Sequence, residues 1–166
     1  MMAAMYKLGL STVALLVAGV AFAAPASAGP PATASGSFLE ITGASTVTKA
    51  ADGNLFVSGT DTGVYSGGLS GTVSDVWTAV LHKDGSFETK GTETCSVCTI
   101  GARRGSFSAQ WAFAGAYLPD GTGPYTGTLL FKSGTVGLAG LHGSGKFAGD
   151  AVAGTETYSF NYLFAP

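Results

Sequence analysis

The segment Thr155–Phe164 reads Thr-Glu-Thr-Tyr-Ser-Phe-Asn-Tyr-Leu-Phe. Tyr158, Phe160, Tyr162 and Phe164 fall at every second position, with Thr157, Ser159 and Asn161 between them. A period of two puts the rings on one face of a strand and the polar side chains on the other. Ser106–Tyr117 repeats the pattern, with Phe107, Ala109, Trp111 and Phe113 opposing Ser106, Ser108 and Gln110. Strands of this kind have one buried and one wet face, as antiparallel sheets do.

Working outward, six more strands are expected: Ala34–Val47, Leu55–Tyr65, Thr72–His82, Ser86–Cys95, Thr126–Lys132 and a short one at Lys146–Gly149. Turn residues separate them, among them Ala51-Asp-Gly-Asn54, Ser66-Gly-Gly68 and Pro119-Asp-Gly121. Asp84-Gly85 is the strongest hairpin signal and suits a two-residue type I′ turn. In that register Glu93 opposes Val76, while Phe87, Thr89, Gly91 and Glu93 share the inner face. The run Gly134–Phe147 holds five glycines in fourteen residues and reads as a loop. Leu138 and Leu141 lie three apart within it, the spacing of a helical turn that plugs one end of a barrel. No sustained 3.6-residue apolar period occurs after the N-terminal leader. The expected fold class is all-β, an eight-stranded antiparallel β-barrel closed so that no edge is left unpaired.

Residues 1–28 have the form of a signal peptide: Lys7, the uncharged run Leu8–Ala23, then Ala26-Ser-Ala28 before a cut at Gly29. The run falls short of the about 20 residues that span a bilayer. Residues 29–33 read as an exposed lead and 34–165 as the β-barrel domain. The expected location is secreted or periplasmic, with no membrane association after cleavage. The chain carries a formal net charge of −2, and only Arg103-Arg104 forms a basic cluster, which argues against nucleic acid as a partner.

Several stretches match in order and spacing a known group. They are Lys83-Asp-Gly-Ser-Phe87, Gly91-Thr-Glu93, Gly105-Ser-Phe107 with Gln110, Gly127-Thr128, Gly137-Leu-Ala-Gly-Leu-His-Gly143 with Phe147, and the alternating aromatics from Tyr158 to Phe164. On these the chain resembles the allene oxide cyclase and dirigent barrel superfamily, specifically its bacterial branch of unassigned function. The resemblance implies an eight-stranded antiparallel barrel. It also implies a homo-oligomer, because the better-known relatives are often trimeric. It carries no activity to this chain.

Cys95-Ser-Val-Cys98 is the sharpest local motif. In an oxidising compartment it reads first as a structural disulfide, then as free thiols, then as a redox or metal pair. Four extended residues hold their ends about 10 Å apart, too far for a disulfide, so a bond requires a bulge between them. Glu93 is the candidate catalytic carboxylate, weighed as a lumen acid against a rim residue or a partner of Arg103 or Arg104. His82 is expected beside the turn on the Phe87 face, His142 in the glycine-rich loop, and Glu156 exposed at a strand start. Trp111, Phe113, Phe131, Tyr158, Phe160 and Tyr162 are read as core or as the lining of a pocket. No phosphate-binding glycine loop, catalytic triad or cofactor motif occurs, so no cofactor and no metal are expected. The function expected is an exported barrel holding a small apolar ligand in its lumen. The alternative is a cofactor-independent cyclase or isomerase using Glu93.

Overall fold

The computed structural model describes residues 30–166, and the expected signal sequence lies outside the described residues. Eight strands form a closed antiparallel barrel in sequence order. They are β1 (Ala32–Ala51), β2 (Asn54–Gly67), β3 (Leu69–Leu81), β4 (Ser86–Ile100), β5 (Arg103–Ala116), β6 (Pro124–Val136), β7 (Leu141–Asp150) and β8 (Thr155–Phe164). β8 closes the ring on β1, from Ala32 opposite Tyr162 to Leu39 opposite Thr155. Among the described residues there is no helix. β8 has the expected bounds, while most other strands extend further. β1 begins inside the stretch expected as an exposed lead, because Ala32 and Thr33 pair with β8.

The type I′ hairpin lies elsewhere than expected. Asp52 and Gly53, at φ 53° and 80°, both take the left-handed conformation that such a turn demands. The β3–β4 connection is instead a three-residue loop of Lys83, Asp84 and Gly85. His82 and Ser86 bracket it: the His82 N–H donates to the Ser86 carbonyl, and only Gly85 is left-handed, at φ 88°. The pairing therefore slips by one residue. Phe87 faces Leu81, and Glu93 faces Asp75 rather than Val76. A one-residue slip inverts a whole strand face. Val73, Asp75, Trp77 and Ala79 thus point inward on β3, and Val76 is 62% exposed.

Gly134–Phe147 is not one loop. Gly134–Val136 ends β6, Leu141 begins β7, and only residues 137–140 turn between them. The plug is present. The Leu138 N–H donates to the Thr135 carbonyl and the Leu141 N–H to the Leu138 carbonyl, which tightens the chain into successive turns. Leu138 and Leu141 are fully buried there, with Leu69, Ile100, Phe107, Phe131 and Phe160. This half of the barrel is closed. The Tyr158 hydroxyl ties it across, accepting from the Leu69 N–H at 2.9 Å and lying 2.8 Å from the Leu69 carbonyl.

Cys95 and Cys98 are bonded to each other, with Cα atoms 5.9 Å apart. The β4–β5 register shifts between them, which is the bulge that the bond requires. Both cysteines are buried in the closed half.

Two measurements test this half. Leu138→Ala leaves a cavity where the plug stood and should cost about 2–5 kcal/mol in urea unfolding. The disulfide closes a very short loop, so its removal in the paired Cys95→Ser and Cys98→Ser variant should cost only about 2 kcal/mol and leave the barrel folded. Alkylation without reductant should add no mass.

Candidate functional site

The opposite half of the barrel is open. Its inward residues leave a cavity of about 440 Å³ that extends to Tyr117 of the β5–β6 connection and to Ala151 and Gly154 of the β7–β8 turn. Gly59, Trp77, Gly91 and Trp111 form one row around β2 to β5, each paired with the next. Each indole lies against the glycine beside it: a Cβ at Gly59 would fall 2.3 Å from Trp77, and one at Gly91 2.5 Å from Trp111. Trp111, Phe113 and Tyr125 continue as a stack, with centroids 5.3 Å and 4.3 Å apart. Phe147 meets Phe113 edge-on.

Deeper than the indoles lies a row of acids. Asp61 on β2 pairs with Asp75 on β3, which pairs with Glu93 on β4. Asp75 is 4% exposed and Glu93 2%. Trp111 Nε1 donates to Asp75 Oδ1 at 2.7 Å, and the Tyr65 hydroxyl donates to Glu93 Oε2 at 2.9 Å. Glu93 Oε1 has no hydrogen-bond partner. Trp77 Nε1 comes near Asp61 without completing a hydrogen bond of normal geometry. Glu40 and Glu156 also line the cavity, and the Tyr125 hydroxyl donates to Glu156 Oε2 at 3.2 Å. Among the described residues that line it there is no lysine, arginine or histidine.

Such a group cannot ionise freely. Burial pushes the Glu93 carboxyl up to about 8 against the Tyr65 hydrogen bond, with the charges of Glu156 and Asp61 adding to the rise. Glu156 is pushed up to about 8 by burial against the Tyr125 hydrogen bond, with Asp75 adding. Asp75 is raised by burial and by Glu93, while Trp111 opposes. Asp61 and Glu40 are raised chiefly by burial as well. Around neutral pH the cluster therefore holds protons that ordinary carboxylates would have lost.

The sequence candidates fall into separate places. Glu93 points into the lumen, and Trp111 and Phe113 stand on its wall. Phe131, Tyr158 and Phe160 are instead buried in the closed half, and Tyr162 meets Phe164 edge-on against that core. Their alternation put them inside the barrel without saying which half. Glu156 is not an exposed strand start, because Tyr125 and the cavity cover it. His82 is half-buried at the β3–β4 turn, off the Phe87 face. His142 is exposed in β7, opposite Leu163. Asp75, Asp61, Glu40, Trp77, Tyr65 and Tyr125 were not singled out from sequence. The alternation Val73-x-Asp75-x-Trp77-x-Ala79 carried the signal for β3, obscured by Val76 and Val80 on the other face. A shallow depression on the outer face, lined by residues such as Thr78, Glu88, Lys90 and Thr128, holds no comparable buried group.

A crystal structure of a DUF3224-family protein of unknown function from Shewanella oneidensis MR-1 matches this fold with a TM-score of 0.62. Sequence identity is 19%, over 82% of this chain and 99% of that one. The likeness is one of fold. No family model and no curated protein matches the sequence.

The acids make stability depend on pH in a definite direction. The unfolded chain releases their protons in the ordinary carboxylate range, whereas folded Glu93 and Glu156 keep theirs to about 8. Between those limits the folded state binds more protons, so stability is full below the ordinary range and falls as pH rises through about 8. Asp84, Asp120 and Asp150, held low by hydrogen bonds within their turns, act only below this window. Urea unfolding should show several kcal/mol less stability at pH 8 than at pH 5, up to about 3–4 kcal/mol for each of these two carboxyls. Glu93→Gln should flatten part of that slope, and a rise in stability over the same interval would contradict the assignment.

Proposed function

We propose that this protein binds a small molecule with an apolar or aromatic body, received in the lumen through the open end. The supporting observation is the cavity itself. An eight-stranded barrel can fill its interior with side chains, yet about 440 Å³ stays open beside Trp111, Phe113 and Tyr125. That lies within the about 300–1,000 Å³ of ordinary ligand sites. Export belongs to the same reading, since the Cys95–Cys98 bond suits an oxidising compartment.

A second reading, a cofactor-independent isomerase or cyclase, draws on the resemblance to the allene oxide cyclase and dirigent barrels. It is favoured by one feature, Glu93, a cavity-lining acid whose Oε1 has no hydrogen-bond partner and which can serve a bound substrate as a proton donor. Binding comes first in both readings.

Fluorescence of N-phenyl-1-naphthylamine, a neutral apolar probe, tests it. The purified protein should enhance and saturate the emission. Ala79→Trp, which sets an indole into the cavity, should abolish the effect with the fold retained by circular dichroism. No saturable binding, or binding indifferent to Ala79→Trp, would exclude a lumen site.

A further inference from the structure

An apolar ligand would explain the aromatic wall and leave the acids unexplained. Like charges directly opposite on paired strands destabilise a sheet, yet Asp61, Asp75 and Glu93 stand in one such row. No cation among the described lining residues balances them. Glu93 lines the cavity and is 2% exposed, and its Oε1 is left without a hydrogen-bond partner. A buried polar atom in that condition is costly unless something supplies its partner.

We propose that the lumen recognises an organic cation, an amine or quaternary ammonium on an apolar body, with its charged head among Asp61, Asp75, Glu93 and Glu156 and its body along Trp111 and Phe113. The inference rests on the lumen-binding reading above and names its ligand class. Two observations favour an organic cation over a metal ion. Among the described residues no three His, Cys, Asp or Glu side chains converge closely enough to hold a metal. The wall beside the acids carries the aromatic rings of Trp77, Trp111, Phe113 and Tyr125, which attract a weakly hydrated cation through the ring quadrupole.

The approach to the cavity has the same sign. Asp52, Asp84 and Asp120 stand in three of the turns at the open end, and Asp150 ends β7 just before the fourth. Asp150 lines the mouth itself and accepts from the backbone N–H groups of Val152, Ala153 and Gly123. Lys49 and Lys83 share this end, while Arg103 and Arg104 lie at the closed end beside the β4–β5 turn. Lys49 rests over the Phe56 ring, outside the cavity.

Proton balance follows from the same groups. In the ligand-free barrel Glu40, Asp61, Asp75, Glu93 and Glu156 face one another, with Tyr65 and Tyr125 as neutral donors. β5 and β7 contribute no titratable group at this depth, only the rim Asp150. An arriving cation takes the place of a proton, which leaves to solvent. Affinity for a permanently charged ligand should therefore rise with pH, by up to about tenfold per unit, and level off above about 8.

Calorimetric titration of the purified protein with benzyltrimethylammonium, its uncharged carbon isostere neopentylbenzene, and calcium chloride decides the matter. At pH 8 the ammonium should bind at least about tenfold more tightly than the isostere. Its heat should differ between phosphate and MOPS buffers by the amount that proton release requires, and its affinity should fall at pH 6. Glu93→Gln and, separately, Asp75→Asn should weaken the ammonium and spare the isostere; the wild-type pH comparison needs neither variant to fold. If the isostere binds as well as the ammonium, the cation inference fails and lumen binding stands. The same holds if neither binds while N-phenyl-1-naphthylamine still does. Failure of the ammonium, the isostere and N-phenyl-1-naphthylamine together removes both readings. Calcium that binds and displaces the ammonium makes this a metal site and overturns the proposal.

Discussion

An aromatic ring packed close against a glycine of the adjacent strand is the contact on which this barrel depends. Trp77 covers Gly59, Trp111 covers Gly91, Phe147 covers Gly127 and Phe160 covers Gly145, each a direct cross-strand pair. A methyl group at any of these glycines would fall within about 2.5 Å of the ring or its backbone. With a larger partner the ring would have to stand up into the lumen. The sheet gives up side chains at half of these positions, and the rings return the apolar contact from the neighbouring strand. In the open half this arrangement lines the wall with π-faces and leaves the axis empty.

The two halves divide stability and function between them. In the closed half Leu69, Ile100, Leu138 and Leu141 fill the axis, Phe107, Phe131 and Phe160 meet edge-on, and a disulfide pins the β4 bulge. The open half holds five carboxyls facing one cavity, an arrangement that opposes folding unless protons or a ligand neutralise it. Destabilising polar groups of this kind gather where a protein binds or reacts. The hydrogen bonds from Trp111 and Tyr65 fix two of the acids in place and leave one oxygen free.

The strand count, the faces of β5 and β8, and the plug at Leu138 were legible in the sequence, because each depends on local periodicity or turn chemistry. The acid row was legible only in part, and Asp75 was lost to a turn. Asp-Gly occurs at 52–53, 84–85 and 120–121, and the first two build different turns. At 84–85 only the glycine is left-handed, so the loop takes in Lys83 and the register moves by one. That step exchanges the faces of β3: Asp75 and Trp77 go inside, and Val76 goes out. Glu93 was legible because its own strand kept its phase. Asp61 and Glu40 had no local signal at all, since an acid in a strand reads as a wet residue until closure of the ring decides which face is enclosed.

Closure also explains how the charge state of the lumen is linked to its contents. Five carboxyls with no cation on the wall among the described residues can be neutralised in only two ways, by protons or by something that enters. In acid the protons suffice and the empty barrel is at its most stable. As the pH rises through about 8 those protons are lost, repulsion grows, and the empty barrel weakens. A bound cation would supply its largest stabilisation there, because a ligand that binds only the folded state stabilises it in proportion to its affinity, and affinity for carboxylates grows as the protons leave. Folding, proton binding and ligand binding would then be three readings of one electrostatic constraint: a buried acid row that the protein itself does not neutralise.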